Sequence, residues 1–157
     1  MPLDKDHSSG DYALVKGRAI SLLARREHSR CELARKINGD QRLAQDELAV
    51  LLDSLEQSGY LSDQRFAEML VRSSVIRGHG PMKILYALRE KGVDRSLAEA
   101  ALAMAEVDWL ESARFQREKK FGQTFPKEPK ERARQSRFLA GRGFSIEIIN
   151  AVFHEKC

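Results

Sequence analysis

The stretch GYLSDQRFAEMLVRSSVIRGHGPMKILYALREKGV, residues 59–93, decides the fold of this 157-residue chain. It predicts a helix stop at Gly59 and a new helix starting near Asp63. A tight glycine turn follows, and then a second helix that begins at Pro81 and stops at Gly92. Proline suits the first position of a helix, where its missing N–H costs nothing, and glycine suits the left-handed position after the last turn. Apolar side chains recur in both segments at helical spacing, so each helix has one face to bury.

The same helix-ending pattern occurs three times along the chain. A leucine is followed four positions later by glycine and then by an apolar residue, as in Leu55, Gly59 and Tyr60, in Leu88, Gly92 and Val93, and in Leu139, Gly143 and Phe144. This spacing is typical of a Schellman ending, in which the residue after the glycine packs back on the last turn. A residue that favours helix starts follows each time, namely Ser62, Asp94 or Ser96, and Ser145. Earlier in the chain, Ser29 and Glu32 predict a capping box, in which each side chain accepts a hydrogen bond from the other residue's backbone N–H.

Helical spacing runs through the whole chain and strand-type alternation is not sustained, so the sequence predicts an all-α fold. Nine helices are expected, at about 12–27, 30–37, 44–58, 63–77, 81–91, 95–106, 108–121, 129–142 and 146–155.

A repeat of about fifty residues organises these helices. Aligning the helix ends matches Lys36, Lys91 and Arg142, which are 55 and 51 positions apart. We therefore expect three tandem three-helix units, at 12–61, 62–106 and 107–157, after a disordered tail at 1–11. Such a row is elongated, because each unit contacts only its neighbours. Trp109 is expected to pack between the second and third units.

Composition excludes several classes of protein. The chain is 42% hydrophobic and 32% charged, which is typical of a helical globular protein. Cys31 and Cys157 lie too far apart in sequence to suggest a disulfide framework or a metal knuckle, and a reduced cytosol is the simplest home. No apolar run approaches the roughly 18 residues of a membrane span, so a soluble, cytoplasmic chain is expected.

The sequence predicts neither catalysis nor a cofactor. The four histidines form no zinc-binding arrangement and are His7, His28, His79 and His154. The glycine turn at 78–80 follows no strand and lacks the Gly-Lys-Ser/Thr of a nucleotide-binding loop. No serine, histidine and acid stand in the context of a nucleophile elbow. We expect no catalytic residue, no metal and no cofactor.

Charge is distributed unevenly along the chain. Residues 38–63 are acidic and residues 110–142 are strongly basic, within a net charge of +4. The middle unit adds a basic edge, formed by Arg65, Arg72, Arg77, His79 and Lys83. Such an edge suits carboxylates or phosphates, and the alternative is an ordinary exposed salt ladder through Glu68.

A second basic surface is expected in the last unit. Its members are Lys127, Lys130, Arg132, Arg134 and Arg137. The neighbouring Phe121 and Phe125 could stack bases beside these cations, as in proteins that follow a single strand, or could simply anchor the core.

Residues 12–155 resemble the RecX family. The most specific matching motifs are Gly59-Tyr60-Leu61 with Asp63, Arg65-Phe66-Ala67, Gly80-Pro81, Lys91-Gly92-Val93, and Phe138-Leu139 with Arg142-Gly143-Phe144. Relatives commonly carry two acidic residues where this chain has Ser62-Asp63, a departure that keeps the helix cap.

The resemblance implies a cytoplasmic bacterial regulator that is not an enzyme. Members of the family bind RecA filaments on DNA and inhibit strand exchange, ATP hydrolysis and coprotease action, and so modulate recombinational repair and the SOS response. By this resemblance the basic edge of the middle unit becomes the candidate RecA contact, and the last basic surface the candidate weak contact with single-stranded DNA. A monomer is expected. The alternative is a helical nucleic-acid-binding module that acts on DNA without RecA, with a steep salt dependence.

Overall fold

The computed structural model describes the backbone of residues 2–154 and the side chains of residues 10–154. This part of the chain contains nine α-helices and no strand, which confirms the all-α prediction. The helices are α1 (Pro2–Arg25), α2 (Arg30–Ile37), α3 (Gln45–Gln57), α4 (Asp63–Ile76), α5 (Pro81–Glu90), α6 (Arg95–Met104), α7 (Trp109–Phe121), α8 (Pro129–Gly141) and α9 (Ile146–His154).

The first helix departs most from the sequence prediction. It begins at Pro2, ten residues ahead of the expected start, and so runs through most of the segment predicted as a disordered tail. Once Val15 and Ala19 are packed, each preceding residue extends an existing helix, which is far easier than nucleating one. Disorder of this tail stays a prediction, and Cys157 lies outside the described residues.

Three hydrophobic cores follow one another along the chain. The first is formed by α1 to α3, the second by α4 to α6 and the third by α7 to α9. Leu33 and Leu51 are fully buried in the first, Ile84 and Leu88 in the second, and Leu139 in the third. Trp109 packs against both the second and the third core, which confirms its expected place between them.

The helix endings confirm the Leu-to-Gly pattern. The carbonyl oxygens of Leu55, Leu88 and Leu139 accept hydrogen bonds from the N–H groups of Tyr60, Val93 and Phe144, at 2.9, 3.0 and 3.2 Å. The intervening glycines at 59, 92 and 143 have φ values of 80°, 75° and 101°. These are the bonds and the left-handed backbone of a Schellman ending.

The capping box at Ser29 is half correct. The Ser29 hydroxyl accepts a hydrogen bond from the Glu32 N–H at 3.1 Å, as predicted. The expected return bond is wrong, because the Glu32 carboxylate accepts hydrogen bonds from Arg26 and Lys91 instead. Two cations compete better for a carboxylate than one backbone N–H does.

Adjacent units are joined through their second helices. At the first junction, where α2 meets α5, the Ser29 hydroxyl donates to the Lys91 carbonyl at 2.7 Å. At the second junction, where α5 meets α8, the Gly80 N–H donates to the Arg142 carbonyl, also at 2.7 Å. Ser29 and Gly80 are both N-cap residues, and they are 51 positions apart, as are the C-cap residues Lys91 and Arg142.

This register corrects one sequence alignment. When the starts of α2 and α5 are aligned, Arg30 pairs with Pro81. Lys36 then corresponds to Ala87 and not to Lys91. The earlier match fails because α2 has 8 residues and α5 has 10, so their ends cannot be aligned together with their starts.

The solvent-accessible surface supports an elongated row. It measures 10187 Å², whereas a compact monomer of 17.8 kDa exposes about 8,000 Å². Within the described residues, no helix combines the length and apolar character needed to cross a membrane.

Candidate anion-binding groove of the second unit

The structure divides the five predicted residues of the basic edge among three places. Arg65 joins two units: its Nε donates to Glu27 Oε1 at 2.9 Å, and its Nη2 donates to the Gly59 carbonyl at 2.6 Å. Arg72 lines an apolar groove between α4 and α6, beside the exposed side chains of Ile76 and Met104. Only Arg77, His79 and Lys83 come together.

The first junction holds a buried carboxylate among cations. Glu32 is 5% exposed and accepts hydrogen bonds from Arg26 Nη2 at 2.8 Å and Lys91 Nζ at 3.2 Å, with Lys36 Nζ at 3.7 Å. Burial alone would raise the pKa of Glu32, but the hydrogen bonds and charges of Arg26 and Lys91 outweigh it and lower the pKa to about 2. The Glu32 carboxylate therefore neutralises the cations of the first junction from within the chain.

The equivalent positions of the second junction carry one reversed charge. A step of 51 residues takes Arg26 to Arg77, Lys91 to Arg142 and Glu32 to Lys83. A lysine thus stands where the first junction has its carboxylate. Among the described residues, neither Arg77 nor Lys83 has a carboxylate within ion-pair distance.

Contacts between the units hold the cations of the second junction close together. The Met82 N–H donates to the Gly143 carbonyl at 2.9 Å, and Arg142 Nη1 donates to the Arg77 carbonyl at 3.3 Å. Burial lowers the pKa of His79, and the charges of Lys83, Arg142 and Arg77 lower it further. The lowered pKa favours the neutral imidazole, which can both donate and accept a hydrogen bond.

One open groove connects the two junctions across the second unit. Its volume is about 370 Å³, and it runs between α4 and α5. The neutralised cluster of Arg26, Glu32 and Lys91 lies at one end, and Arg77, His79 and Lys83 lie at the other. Its floor is apolar with two hydroxyls, formed by Phe66, Met69, Leu70, Ser73, Ser74 and Ala87. We call it the junction groove.

Sequence reasoning missed Arg142 and Lys91 as members of this site. Both were noted only as helix-end residues of the repeat. The repeat could have identified them, because Lys91 and Arg142 are 51 residues apart and so occupy equivalent positions at the two junctions.

The predicted basic surface of the third unit is only partly open. Arg134 pairs with Glu131 at 2.8 Å and lies 4.9 Å above the Phe121 ring, and Arg132 lies 5.2 Å above the Phe153 ring. Three further members are exposed, namely Lys127, Lys130 and Arg137. The cations therefore cover the aromatic rings that the sequence offered for base stacking.

The aromatic rings of the third unit also hold a buried arginine. Arg117 is 1% exposed, its guanidinium carbon lies 4.1 Å from the centre of the Phe125 ring, and its Nη1 donates to Gln135 Oε1 at 3.2 Å. Burial lowers the pKa of Arg117. Phe121 packs edge-on against Phe138, and Phe125 against Phe153, so both rings serve as anchors. No group of three His, Cys, Asp or Glu side chains suited to a metal ion occurs within the described residues.

Comparison with known proteins identifies the family. The models for the second and third three-helix domains of RecX match residues 62–102 and 106–153. The regulatory protein RecX of Halorhodospira halophila is 44% identical over 139 residues, covering 87% of this chain and 84% of that protein. The regulatory protein RecX of Pseudomonas entomophila is 43% identical over 136 residues, covering 86% of each. The chain belongs to the RecX family.

Solved RecX structures have the same fold. The crystal structure of RecX from Lactobacillus salivarius superposes with a TM-score of 0.80 at 23% identity, covering 94% of this chain and 97% of that one. A second crystal structure, of a regulatory protein RecX, gives a TM-score of 0.77 at 18% identity, covering 92% and 72%. The second junction of this RecX chain lies between the two domains that the family models match.

Proposed function

We propose that this RecX chain is a cytoplasmic regulator that binds RecA filaments on DNA and inhibits their recombinase, ATPase and coprotease activities. Membership of the RecX family carries the proposal, and the structure offers surfaces that suit it. On this reading the chain acts by binding and has no catalytic chemistry.

The shape of the chain suits a filament. Three units in a row present separate basic surfaces, namely the junction groove, Arg72 on α4, and the exposed cations of the third unit. A filament offers repeated protein surface together with DNA phosphates, so several weak contacts on one chain add through effective concentration. A chain of this kind needs no deep pocket to bind tightly.

Of the residues first assigned to RecA, Arg72, Arg77, His79 and Lys83 remain candidates for direct contact. Arg65 joins the first two units instead, since its guanidinium donates hydrogen bonds to Glu27 and to the Gly59 carbonyl. The third-unit cations Lys127, Lys130, Arg132, Arg134 and Arg137 remain the candidates for a salt-sensitive contact with single-stranded DNA.

The test is the ATPase rate of RecA on single-stranded DNA with this protein titrated in. Wild-type protein should inhibit at micromolar concentration. Reversing Arg72 and Lys83 together to Glu should weaken inhibition at least tenfold, about 1.4 kcal/mol, because both are exposed cations of the proposed contact surfaces.

The matched control reverses Arg25 and Arg35, two exposed cations of the first unit. It makes the same change in net charge and should leave inhibition within about threefold of wild type, as expected for charges outside a contact. Absence of inhibition by the wild-type protein would show that the proposal is wrong. Equal losses in the two double variants would show that the contact face is misplaced.

A further inference from the structure

The charge reversal between the two junctions has a chemical consequence. Arg26 and Lys91 at the first junction correspond to Arg77 and Arg142 at the second, but only the first junction supplies a carboxylate, Glu32, to neutralise its cations. At the second, Lys83 adds a third cation beside Arg77 and Arg142. Gathering like charges costs free energy unless a counter-charge arrives from outside the chain.

We propose that the second junction is a binding site for the phosphate groups of single-stranded nucleic acid, held by Arg77, Lys83 and Arg142, with the strand continuing over the apolar floor of the junction groove. The inference rests on the proposed function only in taking the strand to be the DNA on which RecA assembles.

The dimensions of the groove favour a strand over a single ion. Lys83 lies in the first turn of α5 and Lys91 directly follows its last turn, so at 1.5 Å per residue their Cα atoms are about 12 Å apart along the helix axis. The groove between these two positions is therefore longer than a single phosphate group. A volume near 370 Å³ has room for a nucleotide.

The chemistry of the lining also fits a strand. Arginine presents paired N–H donors that match phosphate oxygens, and lysine adds a point charge. The half-buried side chains of Met69 and Leu70 between the two ends offer apolar surface to sugars and bases. A positively charged groove with an apolar floor is the general form of a site that follows single strands without reading sequence.

The first junction supplies the sharpest variant. Lys83→Glu would rebuild at the second junction the arrangement of Arg26, Glu32 and Lys91, and so should fold with an unchanged or raised melting temperature. It should nevertheless lose affinity for DNA. Arg77→Gln is the second variant, because the exposed guanidinium of Arg77 has no hydrogen-bond partner among the described residues.

The matched control is Arg89→Glu, which makes the same charge change on the same helix. Arg89 is exposed and lines a different groove, with Met82 and Tyr86. If only the net charge of the chain attracted DNA, Lys83→Glu and Arg89→Glu would behave alike.

The measurement is fluorescence anisotropy of a labelled oligo-dT of about 20 nucleotides, without RecA, at several salt concentrations. We expect Lys83→Glu to weaken binding at least tenfold and Arg77→Gln at least threefold, with Arg89→Glu within twofold of wild type. Each lost phosphate contact should also reduce the slope of log affinity against log salt by about 0.7 for a single strand.

A local readout compares two histidines in equivalent positions. His28 at the first junction and His79 at the second are 51 residues apart. Adding the oligonucleotide should shift the imidazole NMR signals of His79 and leave those of His28 nearly unchanged.

Wild-type affinity in folded Lys83→Glu, or equal losses in Lys83→Glu and Arg89→Glu, would overturn the inference. So would a Lys83→Glu variant that keeps its DNA affinity but no longer inhibits RecA, since the cluster would then contact protein carboxylates. If wild-type protein fails to inhibit RecA while Lys83→Glu still loses DNA affinity, the phosphate site stands and the proposed function fails.

Discussion

Replacing Glu32 by Gln should test how the first junction holds the first two units together. The carboxylate is almost fully buried, and it receives hydrogen bonds from Arg26 in the loop after α1 and from Lys91 at the end of α5. A glutamine of nearly the same size keeps the packing but removes the charge that neutralises these cations. The variant should be folded and less stable than wild type.

The pKa of Glu32 sets the size of the effect. It falls from an ordinary 4.5 to about 2, and each unit of difference is worth about 1.36 kcal/mol, which gives an upper limit near 3.4 kcal/mol. The side chains of Arg26 and Lys91 are 42% and 44% exposed, so solvent screens part of the attraction. We therefore expect Glu32→Gln to lower the free energy of unfolding by about 2 to 3 kcal/mol at pH 7.

The sign of the pH dependence follows from the depressed pKa. The unfolded carboxyl takes up a proton near pH 4.5 and the folded one only near pH 2, so the stabilisation is complete above pH 4.5 and is lost as the pH falls toward 2. The stability difference between wild type and Glu32→Gln should therefore shrink steadily over this window.

Urea unfolding followed by circular dichroism, at pH values between 7 and 3, measures the difference directly. The control is Glu99→Gln, which breaks an exposed pair with Arg95 on α6 and should cost only a few tenths of a kcal/mol. Equal stability of Glu32→Gln and wild type at pH 7, or a difference that persists undiminished at pH 3, would refute the reasoning.

Two further predictions concern the other junction and the third unit. Gly59→Ala should lower the free energy of unfolding by about 1 kcal/mol, because φ is 80° there, although the added Cβ would meet open space. Gly143→Ala should lower it by at least about 2 kcal/mol more, since its Cβ would lie 2.4 Å from Lys83 Cβ. Equal melting temperatures of the two variants would contradict this reading of the second junction. Arg117→Lys should lower the free energy of unfolding by about 1 to 2 kcal/mol, because an ammonium cannot both stack on Phe125 and reach Gln135. It should also speed proteolysis between α7 and α8, and unchanged urea and proteolysis profiles would count against that role.

Local signals carried most of the fold prediction. The Leu-to-Gly endings and the caps at Ser62 and Asp94 involve residues at most five positions apart, so the sequence displays them directly. The start of α1 was misplaced because no local signal decides how far a helix continues beyond its packed part.

The candidate site was harder to predict, since its contacts join distant positions. Arg65 was interpreted as a free surface cation, but its partner Glu27 lies 38 residues away in the neighbouring unit. Glu32 was interpreted as a cap, but its partner Lys91 is 59 residues distant. Both errors come from the docking of one unit on the next, which depends on how the helices pack and not on local spacing.

Co-sedimentation of this protein with RecA assembled on single-stranded DNA tests the central claim most directly. Parallel samples contain the DNA alone and RecA alone. The account predicts that, at micromolar concentration and physiological salt, the protein pellets with the filament well beyond what either component carries down by itself. Equal pelleting with bare DNA and with the filament would contradict it, and would favour a nucleic-acid-binding module that acts without RecA.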